Sequence, residues 1–316
     1  MTITLDDVRD AAERIAPHLR PTALHAYPGL ARLLDADVHV KHENHQPVGA
    51  FKVRGGVNLV ARLDDEERRR GLIAASTGNH GQSVAFAARL FGVTARICAP
   101  EGVNPVKLEA MQSLGAEVLV RGRDFDEARE HCEALAAEHG YRYVHSGDEP
   151  HLIAGVGTQT LEIVTELPEV DAILVPVGGG SGAAGACIVA KAIRPRIEVI
   201  GVQAEEAPAA FLTWQAGAPV SAASTTHAEG LATRVPFALP QRILQEHLDD
   251  FVLVSEGELR DATRAMIEHT RNLVEPAGAA ALAAALRLRE RLRGRTVVLV
   301  ASGGNLSPAQ LAALYG

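Results

Sequence analysis

The sequence predicts an α/β protein of two lobes, each a mostly parallel twisted sheet covered by helices. Short apolar runs alternate with amphipathic or alanine-rich helical stretches, the pattern of parallel strands whose two faces are both covered. Of the 316 residues, 47% are hydrophobic and only 4% aromatic, enough for a large aliphatic core divided between two lobes. The stretch from Gly71 to Ser146 holds a self-contained set of strands and helices. Residues 71–146 are therefore expected to form a small domain, and residues 1–70 with 147–316 a large one.

Taken in order, the elements begin with Met1-Thr2-Ile3-Thr4-Leu5-Asp6-Asp7, which is acidic and lacks the apolar core of a secretory signal. Thr4 and Asp7 have the spacing of a capping pair for a helix over 5–18, with carboxylates at its positive end. Arg68-Arg69-Arg70 reads as a solvated helix end. In the small block, strands are expected over 72–75, 95–99, 117–120 and 142–145, with helices over 81–91, 105–114 and 124–138. Strands over 172–177, 198–203, 251–254 and 296–301 follow, with helices over 183–193, 256–272 and 279–291.

The net charge of −8 and the absence of long basic runs argue against a nucleic-acid surface. No run of about 18 apolar residues exists to cross a membrane. Cys98, Cys132 and Cys187 are odd in number and lack metal-ligand spacing, so they are expected to be buried, unpaired thiols in a reducing, cytoplasmic setting.

Four motifs carry chemistry, the last three each set after a strand-like run. The first is Pro47-Val48-Gly49-Ala50-Phe51-Lys52-Val53-Arg54-Gly55-Gly56. The second, Ser76-Thr77-Gly78-Asn79-His80, opens a helix, and backbone N–H groups at a helix start suit an anion. The third is Gly178-Gly179-Gly180-Ser181-Gly182, where backbone approaches a ligand unobstructed and the following helix adds about half a positive charge, which suits a phosphate dianion. The fourth is Ser302-Gly303-Gly304-Asn305. Gly180 to Gly185 also spells G-x-G-x-x-G between a strand and a helix, with Glu205 about 20 residues on, as in a dinucleotide site. That rival gives no use to the Lys52 segment or the Ser302 turn.

In this order, and over nearly the whole chain, the four motifs resemble those of the fold-type II pyridoxal-phosphate enzymes, which share the tryptophan synthase β-like fold. The branch is that of threonine/serine dehydratases and serine racemase. The resemblance implies that Lys52 is the catalytic Schiff-base lysine and that pyridoxal 5′-phosphate lies in the cleft between the lobes. It further implies that residues 178–182 hold the phosphate, Asn79 the ring hydroxyl and Ser302 the pyridine nitrogen. Phe51 and the Glu275-Pro276-Ala277-Gly278-Ala279 segment line the cofactor pocket. Ser76, Thr77, Gly78, Asn79 and His80 receive the substrate carboxylate, His80 being a structural hydrogen-bonder and Arg54 a structural ion pair. A lysine in apolar surroundings has its pKa lowered and can serve as nucleophile and base. A neutral hydroxyl at the pyridine nitrogen favours prompt β-elimination over prolonged carbanions.

The implied function is a cytoplasmic ammonia-lyase that dehydrates and deaminates L-threonine or L-serine to a 2-oxo acid and ammonia, working as a homodimer or dimer of dimers with an amino-acid substrate. Departures from the pattern leave alternatives. Thr77 stands where racemases carry serine, which weakens serine or aspartate racemisation without abolishing it. Gln203 and Ala209 replace the carboxylates of divalent-ion-dependent members, so no metal is expected. Ala50 and Glu229 replace the usual serine and aspartate and leave open a lyase for 3-hydroxyaspartate or a hydroxyectoine degradation product. A non-catalytic metabolite-binding protein would have no need of Lys52. With the sequence ending at Gly316, no C-terminal regulatory domain is expected.

Overall fold

The computed structural model describes residues 2–123 and 125–316. Ten strands occur among them: β1 (Leu24–Ala26), β2 (Asp37–His42), β3 (Leu72–Ala75), β4 (Ala95–Ala99), β5 (Glu117–Val120), β6 (Arg142–Tyr143), β7 (Ala172–Pro176), β8 (Glu198–Ala204), β9 (Asp250–Val254) and β10 (Thr296–Ala301). They form a six-stranded sheet in the order β1-β2-β10-β7-β8-β9 and a four-stranded sheet in the order β5-β4-β3-β6. Every pairing is parallel except β1 with β2.

Strand composition explains the layering. Val298 and Val300 of β10 pack into a core with Ile173 and Val175 of β7, while Val297, Leu299 and Ala301 join Ala172 and Leu174 in a second core on the other face. Side chains alternate, both faces are apolar, and helices must cover both. The four-stranded sheet repeats this on a smaller scale, with a main core on one face and a satellite of Ile73, Ala75, Cys98 and Cys132 on the other. All three cysteines are free and buried.

Most expected elements are present with shifted ends. The first helix is Leu5–Ile15, with Thr4 and Asp7 bonded reciprocally as a capping box. The strand expected over 142–145 stops at Tyr143, because His145 instead turns the chain, its Nδ1 accepting from the N–H groups of Gly147 and Asp148. The helix expected over 124–138 is Phe125–His139; Asp124, like Met1, lies outside the described residues. Arg68, Arg69 and Arg70 form the last turn of the short helix Asp65–Arg70.

Strands β1 and β2 are not evident in the sequence pattern, nor are the helices Lys52–Ala61 and Pro150–Glu166. Those two helices hold glycines that read as helix breakers. Packing explains them: a β-carbon at Gly155 would lie 2.6 Å from the Arg54 carbonyl oxygen and 2.8 Å from Gly55 Cα, so the helices touch backbone to backbone.

The functional segments all leave the carboxyl ends of strands. Lys52 lies beyond β2, the 76–80 turn follows β3, Ser146 follows β6, the glycine loop follows β7, and Ser302 follows β10. Crevices outside the carboxyl ends of strands are where open α/β sheets bind ligands.

Candidate active site

A cleft of about 390 Å³ opens at these strand ends. Phe51, Lys52, Ser76, Thr77, Gly78, Asn79, His80, the loop 178–182, Glu275 and Ser302 all line it. Every residue expected at the site is thus brought to one place.

Lys52 begins the helix Lys52–Ala61, and the chain leading to it is pinned to the Ser302 turn. The Phe51 N–H donates to the Ser302 carbonyl at 3.0 Å, and Ala50 pairs with Gly303. Lys52 Nζ donates to the Ser146 carbonyl and to Ser181 Oγ, both at 2.9 Å, and sits 5.3 Å from the Phe51 ring centroid. Burial of the amine pushes its pKa down to about 8, which brings the neutral form within reach of ordinary pH.

The glycine loop ends at Gly180, whose φ of +89° is left-handed, and the helix Ser181–Ile193 starts there. A β-carbon at Gly178 would collide with the Gly230 carbonyl oxygen, and one at Gly179 with the Phe237 ring. Among the described residues no hydrogen bond occupies the backbone N–H groups of residues 178–182. These donors, aligned at a helix start, form a concave anion site.

The second helix start in the cleft, that of Asn79–Leu90, is organised by Ser76. Its Oγ accepts from the N–H groups of Gly78 (3.0 Å) and Gly81 (2.8 Å). Ser76 therefore caps the turn with its side chain, and Thr77, Asn79 and His80 keep their N–H groups free among the described residues. The Asn79 amide is fixed at both ends: Nδ2 donates to Glu275 Oε1 at 2.7 Å, and Oδ1 accepts from Asn305 Nδ2 at 2.7 Å. One N–H remains for a ligand. Burial raises the pKa of Glu275 against the pull of Lys107.

His80 Nε2 lies 3.1 Å from the Val144 carbonyl, which can only accept, so the ring carries its proton there. Burial, reinforced by the charge of Lys52, pushes its pKa down to about 3. Neutral His80 is no proton donor near pH 7, in keeping with a structural role. Arg54 is likewise removed from the cleft. It lies buried between Glu43 (2.7 Å) and Glu162 (2.6 Å), and Lys41 completes the network at 2.6 Å from Glu162.

The family whose profile matches residues 15–303 is described as "Pyridoxal-phosphate dependent enzyme". The chain belongs to that family. This pyridoxal-phosphate-dependent enzyme is 38% identical to the L-threonine ammonia-lyase of Thermotoga maritima over 305 residues, 96% of this chain and 76% of that protein. Its fold superposes on the processed form of threonine deaminase isoform 2 from Solanum lycopersicum with a TM-score of 0.92 at 29% identity, covering 100% of this chain and 96% of that one. It superposes on maize serine racemase with a TM-score of 0.94 at 29% identity, over 99% and 97% of the two chains.

The residues present fit the cofactor. Pyridoxal phosphate needs an uncharged amine, a pocket for a dianion and polar partners for its ring; the cleft offers Lys52 with its lowered pKa, the open N–H groups of 178–182, and Asn79 with Ser302. The dinucleotide reading of the same loop fails at Glu205, which is engaged by Arg287 at 3.1 Å and does not line the cleft.

Sequence reasoning missed four contributors. Ser146 acts through a backbone carbonyl, for which side-chain identity gives no signal. Lys107 and Gln310 are polar helix residues of a kind that is most often solvated. Asn305 belongs to the Ser302 turn, and its place there is the available clue. At the positions of the absent metal carboxylates, the buried Gln203 accepts from the Phe211 N–H at 3.0 Å and Ala209 is fully buried. Among the described residues, no cluster of three or more His, Cys, Asp or Glu side chains could hold a metal, and no helix is long and apolar enough to cross a membrane.

Proposed function

We propose that this enzyme is an ammonia-lyase that dehydrates and deaminates L-threonine or L-serine to a 2-oxo acid and ammonia. The observation that carries the reading is Lys52 Nζ, an amine of lowered pKa held 2.9 Å from both Ser181 Oγ and the Ser146 carbonyl at the floor of a cleft with two helix starts. The L-threonine ammonia-lyases of Thermotoga maritima and Geobacter sulfurreducens, 38% and 40% identical over at least 95% of this chain, support the substrate class.

Residues 178–182 would hold the cofactor phosphate through their N–H groups, Asn79 the ring hydroxyl through its one free N–H, and Ser302 the ring nitrogen. When bound, the cofactor supplies an electron sink for the pair left on the substrate α-carbon. Lys52 provides the covalent attachment and, once released by substrate, takes the α-proton on Nζ. Ser181 and the Ser146 carbonyl keep that nitrogen aimed. The turn at 76–80 receives the substrate carboxylate on the N–H groups of Thr77, Asn79 and His80, while Phe51 and Phe237 help exclude water. The β-hydroxyl then departs with a proton as water, and the released enamine, as its imine tautomer, is hydrolysed to the 2-oxo acid and ammonia.

The two sheets support a division into a lobe of residues 71–146 and a lobe of the rest. Three buried free thiols suit a reducing, cytoplasmic compartment. Thr77 keeps a hydroxyl in the cleft, which leaves racemisation open as a side activity. The test is 2-oxo acid release from L-threonine and L-serine by purified, cofactor-loaded protein, with chiral analysis of recovered substrate. Racemised substrate without 2-oxo acid would replace the lyase reading with the racemase one.

A further inference from the structure

One wall of the cleft carries an ion pair for which the proposed chemistry has no use. Lys107, 5% exposed, comes from the helix Pro105–Ser113 and donates to Glu229 Oε2 at 2.5 Å, with Glu275 Oε2 3.8 Å from the same nitrogen. The second oxygen of Glu229 accepts from Gln310 Nε2 at 3.3 Å. Both members of the pair line the cleft. Lys107 also stands beside the proposed carboxylate turn, since a β-carbon at Gly78 would lie 2.9 Å from its Cδ and 3.4 Å from its Nζ.

One ammonium therefore serves two carboxylates. A carboxylate on an incoming side chain would have to displace Glu229 from Lys107, and would meet the charge of Glu229, whose side chain is 34% exposed and so only partly screened by water. A hydroxyl or methyl group meets no such repulsion. We propose that the Lys107–Glu229 pair is a charge filter that bars amino acids with an acidic side chain and confines the enzyme to uncharged β-hydroxy amino acids. Selection works by repulsion of the wrong ligand. The inference rests on reading the cleft as an amino-acid site, and it removes 3-hydroxyaspartate from the candidate substrates.

The test compares calorimetric binding of succinate and butyrate, two unreactive carboxylates differing in one charged end, to the cofactor-loaded enzyme. The wild type is expected to bind succinate at least about tenfold more weakly than butyrate. Glu229→Gln is expected to tighten succinate by about tenfold or more while leaving butyrate within about threefold, and Glu229→Asp, which keeps the charge, to preserve the wild-type order. Equal binding of the two acids by the wild type, or equal tightening of both in Glu229→Gln, overturns the filter. The wild-type comparison decides even if the amide variant loses its cofactor. Failure of the lyase reading is seen separately, as absence of 2-oxo acid from L-threonine and L-serine whatever the order of succinate and butyrate.

Discussion

Lys52 and Ser181 join the starts of two helices through a single 2.9 Å hydrogen bond from Nζ to Oγ. Lys52 opens the helix Lys52–Ala61 and Ser181 the helix Ser181–Ile193, so the amine is held where the phosphate-type loop begins. Removing the lysine side chain takes away both the covalent link and the proton acceptor. Lys52→Ala is expected to lower turnover by at least about 1000-fold with an unchanged circular dichroism spectrum. Activity above a few per cent without added amine would show the assignment to be wrong.

The same amine gives a pH signature in the cofactor-free protein. With a pKa near 8 against an ordinary lysine's 10.5, its folded form binds fewer protons than its unfolded form between those values. The cost of burying the charge is therefore full below pH 8 and fades as pH rises to 10.5. Lys52→Met is expected to raise the melting temperature of cofactor-free protein at pH 7 and to lose that advantage by pH 10.5. A melting difference independent of pH would contradict the lowered pKa.

Gly178 packs so closely against the Gly230 carbonyl that a methyl group has no room. Gly178→Ala is expected to displace the loop and weaken pyridoxal phosphate binding by at least about tenfold, measured by titration of the cofactor-free protein. Unchanged affinity would move the phosphate site elsewhere.

Arg54 is 1% exposed and paired with a Glu43 that is fully buried. Removing one partner leaves the other charge uncompensated, at a cost of about 3–5 kcal/mol. Arg54→Met is expected to lower the denaturant midpoint accordingly and to impair activity through the displaced Lys52 helix. A midpoint equal to the wild type would mean that the network contributes nothing.

Glu205 and Glu206, the acidic residues nearest the missing metal ligands, are engaged by Arg287 and Thr225. EDTA is expected to leave the initial rate unchanged at fixed ionic strength. A several-fold loss restored by magnesium or calcium would show that other carboxylates have taken over.

The motifs most legible in the sequence are those built from residues with no use in a core. A glycine run after the apolar Ala172–Pro176, or Ser-Gly-Gly-Asn after Thr296–Ala301, ends a buried strand with residues that supply no apolar side chain to a core. Helices that pack through glycine are opaque, because Gly55 and Gly155 lower helix propensity and are compensated only by a tertiary contact. Long-range polar partners are equally hidden: Lys107 and Glu229 are 122 residues apart, and neither neighbourhood points to the other.

Two lysines line the cleft, and the chemistry proposed for it requires that Lys52, and not Lys107, bear the cofactor. Borohydride reduction of the enzyme in the presence of pyridoxal phosphate, followed by digestion and mass spectrometry, tests this most directly. The expected result is one cofactor-derived adduct on the peptide containing Lys52, lost in Lys52→Ala. An adduct on Lys107, or labelling that survives that substitution, would contradict it.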